Sequence, residues 1–182
     1  MLRKIVIIGP ESTGKSTLCE KLAKKYRTVY VPEFAREYLL AHGMKYDTGD
    51  LDRIARGQLE LEDKFTGQLK EKAGASDKGN EFLFIDTDLY VMKVWSEFVF
   101  GSCAHWILDE ISRRAYDLYL LCHTDLPWVK DELREYPDLK TREKLFKIYE
   151  DILINQPTPW ARIRGDEEER VTCAVEAVEG LK

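Results

Sequence analysis

Five short runs of apolar, β-branched and aromatic residues punctuate the chain, at Lys4–Ile8, Thr28–Val31, Phe82–Ile85, Asp117–Leu121 and Ala161–Arg164, and they predict strands. Between them the apolar period lengthens to that of a helix. This predicts helices over Lys15–Tyr26, Phe34–His42, Asp50–Lys72, Leu89–Phe100, His105–Arg114, Thr141–Leu153 and Glu167–Glu179. Leu51, Ile54, Ala55 and Leu59, then Leu61, Phe65 and Leu69, keep that spacing over the longest of these. Strands alternating with helical crossovers demand a mainly parallel sheet covered on both faces, so the pattern predicts a doubly wound, five-stranded α/β fold.

The 182 residues fit one domain, 1–182, without repeats or low-complexity segments. The break at Gly74–Glu81 is polar and contains glycine, and it reads as a surface loop before the third strand. The stretch Pro127–Pro137 carries mixed charge between prolines and reads as a flap, within a lid segment at about 126–142. Composition narrows the function. A hydrophobic share of 44% with 34% charged residues is that of an ordinary globular protein, and a formal net charge of -5 argues against nucleic acid or a membrane surface as partner. Cys19, Cys103, Cys122 and Cys173 form no CxxC pair and read as reduced thiols. No apolar run reaches the length of a signal core or a membrane span, which makes the cytoplasm the expected location. Nothing in the pattern specifies an oligomeric state.

Gly9-Pro10-Glu11-Ser12-Thr13-Gly14-Lys15-Ser16 fits G-x-x-x-x-G-K-[ST], and it stands between a predicted strand and a predicted amphipathic helix, as the mechanism of that motif requires. Glycines let the loop curl so that its amides face an anion, and the helix that follows presents its positive end to the same charge. Gly9, Glu11, Ser12, Thr13, Gly14, Lys15, Ser16 and Thr17 are therefore expected to hold ATP. Lys15 bridges its β- and γ-phosphates and Ser16 completes a Mg²⁺ shell. An NKxD guanine signature does not occur, which favours adenine.

The apolar run Phe82–Ile85 ends in Asp86, the place of the acid that serves magnesium or activates an acceptor hydroxyl. Thr87 follows it, where ATP-driven motors place a glutamate. Asp88 suits either a substrate contact or a helix cap, and Glu33 suits a base, a ribose contact or a first-turn acid. Arg36 suits phosphate or a pairing with Glu33. Arg134 and Arg142, in and after the flap, are candidates to close on a transferring phosphate while the flap excludes water. Among the aromatics, Trp95, Tyr116 and Trp128 are candidates to hold a flat substrate ring. Core burial competes for Trp95, and Trp128 has the better claim. The histidines His42, His105 and His123 share no metal-ligand spacing. Together these residues describe a kinase for a small nucleoside-like acceptor, with an ATPase or switch module acting on a protein partner as the alternative.

The strings GPESTGKST, VPEFAREYL, FIDTDLYVMKVWSEFVFG, YDLYLL and DLPWVKDELRE resemble the nicotinamide riboside kinase domain of NadR-type proteins, over Ile5 to about Tyr149. The resemblance implies transfer of the ATP γ-phosphate to the ribose 5′-hydroxyl of nicotinamide riboside, giving nicotinamide mononucleotide. It also implies a sheet of order 2-3-1-4-5, phosphates on Gly9–Thr17, magnesium or base chemistry at Asp86, a lid at Trp128–Arg142 and adenine beside Arg164-Gly165-Asp166. Larger members carry an N-terminal nucleotidyltransferase domain with an HxGH-like signature. This chain opens at the kinase strand, so the resemblance implies neither adenylyl transfer nor DNA binding.

Overall fold

The computed structural model describes residues 2–74 and 82–181; the loop expected at Gly74–Glu81 lies almost wholly outside them. Along the chain run β1 (Arg3–Ile8), α1 (Lys15–Lys25), β2 (Tyr30–Val31), α2 (Phe34–His42), α3 (Thr48–Gly74) and β3 (Phe82–Asp86). They are followed by α4 (Leu89–Phe100), α5 (His105–Arg113), β4 (Leu118–Cys122), α6 (Leu139–Ile154), β5 (Trp160–Ile163) and α7 (Glu167–Glu179). The five strands form one sheet of order β2-β3-β1-β4-β5, parallel at every pairing. This is the doubly wound topology expected from the sequence.

Strand side chains alternate between two cores. Ile5, Ile7, Phe84, Leu118 and Leu120 pack against α1 and α7, whereas Val6, Ile8, Leu83, Ile85, Tyr119 and Leu121 pack against α3, α4 and α6. A third cluster joins α2, α3, α4 and α5 through Leu39, Leu51, Ile54, Met92 and Ile107. The long helix α3 turns a partly polar stripe inward. Leu51, Ile54, Ala55, Gln58, Glu62, Thr66 and Leu69 are buried, so the inward face runs through Gln58 and Glu62, and Leu59 and Leu61 lie at its edge.

Two strand boundaries differ from expectation for local reasons. The edge strand β2 begins at Tyr30 instead of Thr28, because the Thr28 amide closes α1 by donating to Ala23 and its hydroxyl donates to the carbonyl of Phe82. The strand β4 begins one residue late because the Asp117 carboxylate accepts the Lys4 amide at 2.7 Å, and it runs on through Cys122, which pairs with Ile163.

The order puts β1 and β3 side by side at the centre, with Ile7 opposite Asp86. The loops leaving β1, β2 and β3 therefore open at the same carboxyl edge, where doubly wound sheets hold ligands.

Candidate active site

The β1–α1 loop is shaped by three backbone requirements. A Cβ on Gly9, whose φ is 141°, would lie 2.7 Å from the Cys122 carbonyl oxygen, so only glycine lets the loop leave the sheet so close to β4. Ser12 and Gly14 adopt left-handed φ values of 56° and 77°, which curls the loop into an anion-binding concavity. The carbonyl of Pro10 accepts from the Thr13 hydroxyl at 2.7 Å and from the Lys15 ammonium at 3.0 Å, which holds the lysine over the curl. Gly14 stands at the N-cap of α1 without a side-chain cap, and no acidic residue occupies the first turn. The N-terminal amides and the positive end of α1 are left for an anionic ligand.

Facing this loop, Asp86 ends β3 with 1% of its surface exposed. Burial, then the Glu33 carboxylate, push its carboxyl up to about 7, against the pull of Lys15 and Ser16. Its Oδ1 has no hydrogen-bond partner among the described residues. A buried, unsatisfied carboxylate oxygen beside a serine and a lysine suits a hydrated divalent cation with few protein ligands. The chain then turns at Thr87, a β-branched residue at φ 68°, whose amide donates to the carbonyl of Ile7 at 3.0 Å.

Glu33 sits at the N-cap of α2, yet its side chain makes no cap bond there and lines the cavity instead. Glu33 thus stands both at the positive end of α2 and on the cavity lining. Gln58, which the sequence reading passed over, explains how both acids are positioned. Its Oε1 accepts the Phe34 amide at 2.8 Å, and its Nε2 reaches the carbonyls of Pro32, Asp86 and Thr87 at 3.3 to 3.4 Å. One amide therefore ties the chain after β2 to the chain after β3. Gly57 admits the contact, since a Cβ there would strike the Phe34 ring at 2.2 Å.

A cavity of about 530 Å³ connects these parts. Gly9, Glu11, Ser12, Thr13, Gly14, Lys15, Ser16 and Thr17 line it, together with Glu33, Arg36, Asp86, Trp95 and Arg134. Val91, Val94, Phe98, Tyr136, Leu145 and Tyr149 complete an apolar and aromatic wall. Trp95 donates through its indole nitrogen to the Tyr46 hydroxyl at 2.9 Å, so its ring is fixed in that wall. Arg36 pairs with Asp131 at 3.1 Å and not with Glu33.

Four sequence candidates stand elsewhere. Asp88 is buried, caps α4 by accepting the Tyr90 amide at 3.0 Å and accepts the Tyr119 hydroxyl at 2.8 Å; burial pushes its carboxyl up to about 7. Of the two readings open for Asp88, substrate contact and helix cap, the cap is the one realised. Tyr116 is half-buried, donates its hydroxyl to the Glu62 carboxylate at 2.8 Å and does not line the cavity, so a stacking role is corrected as well. Trp128 lies outside the lining and points its indole nitrogen at Glu11 Oε1, 3.4 Å away. Arg142 is 3% exposed in the first turns of α6, on the face that carries Leu145 and Tyr149 into the cavity, and its Nε and Nη1 have no partner among the described residues. One further arginine is marked by no motif in the sequence. Arg170 on α7 binds the carbonyls of Thr13, His123 and Gly165 at 2.8 to 3.0 Å and pairs with Asp125, so it anchors the phosphate loop from behind. The loop at Gly165 joins the same network through its amide, 2.7 Å from Asp125.

A parallel 2-3-1-4-5 sheet with this loop at the end of its first strand defines the fold of P-loop kinases. The chain belongs to an AAA domain family, whose model matches residues 4–170. It is 27% identical to the trifunctional NAD biosynthesis/regulator protein NadR of Escherichia coli over 97% of its length, and to that of Salmonella typhimurium over 99%. It spans 42% and 43% of those proteins, respectively. The fold is similar to that of a NadR protein in complex with NR, with a TM-score of 0.75 and 21% identity over 99% of this chain and 50% of that one. It is also similar to the thymidylate kinase of Ehrlichia chaffeensis, with a TM-score of 0.64 and 13% identity over 99% and 98%. No helix among the described residues is long and apolar enough to cross a membrane.

Proposed function

We propose that the chain is a single kinase unit that uses Mg-ATP to phosphorylate a nucleoside, with the ribose 5′-hydroxyl of nicotinamide riboside as acceptor. One observation carries the reading: a phosphate loop, two carboxylates and an aromatic wall share one cavity. The NadR relatives and the family motifs in the sequence support the choice of acceptor.

The loop amides and the α1 N-terminus gather the phosphates of ATP, with Lys15 on the charge that develops between them. Asp86 and Ser16 would hold the magnesium ion, which neutralises phosphate charge. Glu33 lines the cavity with Ala35 and Arg36, and in this reading it takes the proton of the acceptor hydroxyl as that oxygen attacks the γ-phosphorus. The bond from that phosphorus to the oxygen of ADP breaks in the same step. The β4–α6 connection acts as the lid. It brings Arg134 onto the transferring group and keeps water out. Arg142, buried outside the cavity lining one turn before Leu145, would supply a further guanidinium on closure, its unsatisfied nitrogens suiting a phosphate oxygen.

The test is incubation with Mg-ATP and a panel of nucleosides that includes nicotinamide riboside, following ADP and phosphorylated nucleoside together. Nucleotide formed in step with ADP is the expected result. Steady ADP formation that no nucleoside accelerates would sink this reading in favour of an ATPase module. The threonine after Asp86, where a water-activating glutamate stands in motors, speaks against that module.

A further inference from the structure

Glu11 is an odd residue to find on a loop that gathers phosphates, because its charge repels theirs. Its carboxylate is turned elsewhere. Oε1 accepts the Tyr136 amide at 2.6 Å and faces the Trp128 indole nitrogen at 3.4 Å, and Oε2 accepts the Glu135 amide at 3.0 Å. The neighbouring Ser12 hydroxyl accepts the Val129 amide at 3.0 Å. Both residues hold segments of the β4–α6 connection more than a hundred positions away. On the opposite rim the hydrogen bonds that hold the connection among the described residues run between side chains, Arg36 with Asp131 at 3.1 Å and Tyr46 with Glu135 at 2.8 Å. An exposed ion pair of that kind holds little. Two backbone amides donating to one carboxylate are stronger, since the acceptor is ionised and the amides cost no side-chain entropy to order.

We propose that Glu11 is the latch of the lid: a positioning residue that fastens residues 128–136 to the phosphate loop and so fixes Arg134 and the aromatic wall over the cavity. The inference rests on the kinase reading for its effect on turnover, but the latch itself does not. Its chemical consequence is fidelity of transfer. With the lid loose, a water oxygen can take the γ-phosphoryl group in place of the acceptor hydroxyl; ADP leaves and the proton of water passes to the buffer.

The experiment measures backbone amide exchange on the full chain without nucleotide, comparing the wild type, Glu11→Ala and Glu11→Gln. Glutamine keeps a carbonyl oxygen for Tyr136. In Glu11→Ala the amides of Glu135 and Tyr136 should exchange at least about 10-fold faster, with the sheet and α6 unchanged; in Glu11→Gln the Tyr136 amide should stay within about 3-fold of wild type, whereas the Glu135 amide, left facing an NH2 group, should exchange faster. Unchanged exchange at those amides overturns the latch, and so does acceleration throughout the chain, which would make Glu11 a support of the fold. On a phosphorylated acceptor, Glu11→Ala should make more ADP than phosphorylated product, with the KM for Mg-ATP altered less than about 3-fold. A KM raised equally in both variants would instead place Glu11 on the nucleotide and overturn the proposal. Should no acceptor be phosphorylated by the wild type, the kinase reading fails alone and exchange still decides the latch.

Discussion

The side-chain nitrogen of Gln58 lies 3.4 Å from the carbonyl oxygen of Asp86, and through it a buried glutamine on α3 holds the turn at which two strands deliver their acids. Replacing Gln58 by leucine keeps the volume but strands the Phe34 amide and three carbonyls. Leaving a buried donor unpaired costs about 1–3 kcal/mol. Gln58→Leu should therefore lower the melting temperature by several degrees and reduce kcat about 10-fold or more. The KM for ATP should change little, because the phosphate loop is untouched. Thermal melts and steady-state kinetics on the same preparation check both parts.

Gly57 stands beside that contact because α3 presses its backbone against the Phe34 ring. Gly57→Ala adds a methyl group where a Cβ would meet ring carbons at 2.2 to 2.5 Å. Overpacking of this kind costs about 1–3 kcal/mol even though alanine is the better helix former. The expected outcome is a less stable protein, read from a denaturant midpoint; a more stable one would show that Phe34 swings aside freely.

The phosphate loop and the strand ending in Asp86 were legible in the sequence because their chemistry is local: glycines at fixed spacing, and an apolar run with a terminal carboxylate. Gln58 and Arg170 were not legible. Each acts on carbonyls from distant parts of the chain, and nothing in a helical pattern separates a polar residue that closes such a network from one that faces solvent. The signal at Gln58 was weak but present, since Gly57-Gln58 interrupts the inward stripe between Ala55 and Glu62. Asp88, open between cap and substrate contact, and Tyr116, read as a stacking candidate, were ambiguous for the converse reason. Their proximity in sequence to Asp86 and β4 suggested the cavity, but Tyr119 and Glu62 offered them buried partners.

Among the described residues the Lys15 ammonium makes one hydrogen bond, to the carbonyl of Pro10 on its own loop, and its remaining influence is its charge near Asp86. Removing it should leave the fold intact. Lys15→Ala is expected to lower kcat/KM about 1,000-fold through loss of charge on the transferring group, with the melting temperature within a few degrees of wild type. Circular dichroism and a coupled ADP assay read the two quantities separately.

Asp86 gives the metal-free, nucleotide-free protein a dependence of stability on pH. Its carboxyl titrates at about 7 when folded, above its ordinary value of 3.8, because burial and Glu33 disfavour the charge. Below both values it is protonated in either state and contributes nothing. Between them the folded state binds the extra proton, so stability falls as pH rises, and above 7 the full cost of the buried charge is present. Asp86→Asn carries no such cost. The variant should melt at the same temperature as wild type near pH 4 and several degrees higher at pH 8, while losing most activity. Melting curves across that range in a chelating buffer test the sign, and a variant less stable than wild type at pH 8 would contradict it.

Arg142 offers a separation of stability from turnover that Arg134 does not. Its guanidinium is buried with two nitrogens unsatisfied, and an uncompensated buried charge opposes folding. Methionine matches the length of its stem and removes the charge. Arg142→Met should therefore stabilise the nucleotide-free protein by about 1–3 kcal/mol. The same substitution should lower kcat about 100-fold if the arginine meets a phosphate oxygen in the closed site. An ATP analogue should then raise the melting temperature of wild type more than that of the variant. Arg134, which donates to the Val129 carbonyl and lines the cavity, should lose turnover on substitution by alanine without any gain in stability. If Arg142→Met left kcat unchanged while stabilising the protein, the arginine would have no part in phosphoryl transfer, and the lid would act through Arg134 alone.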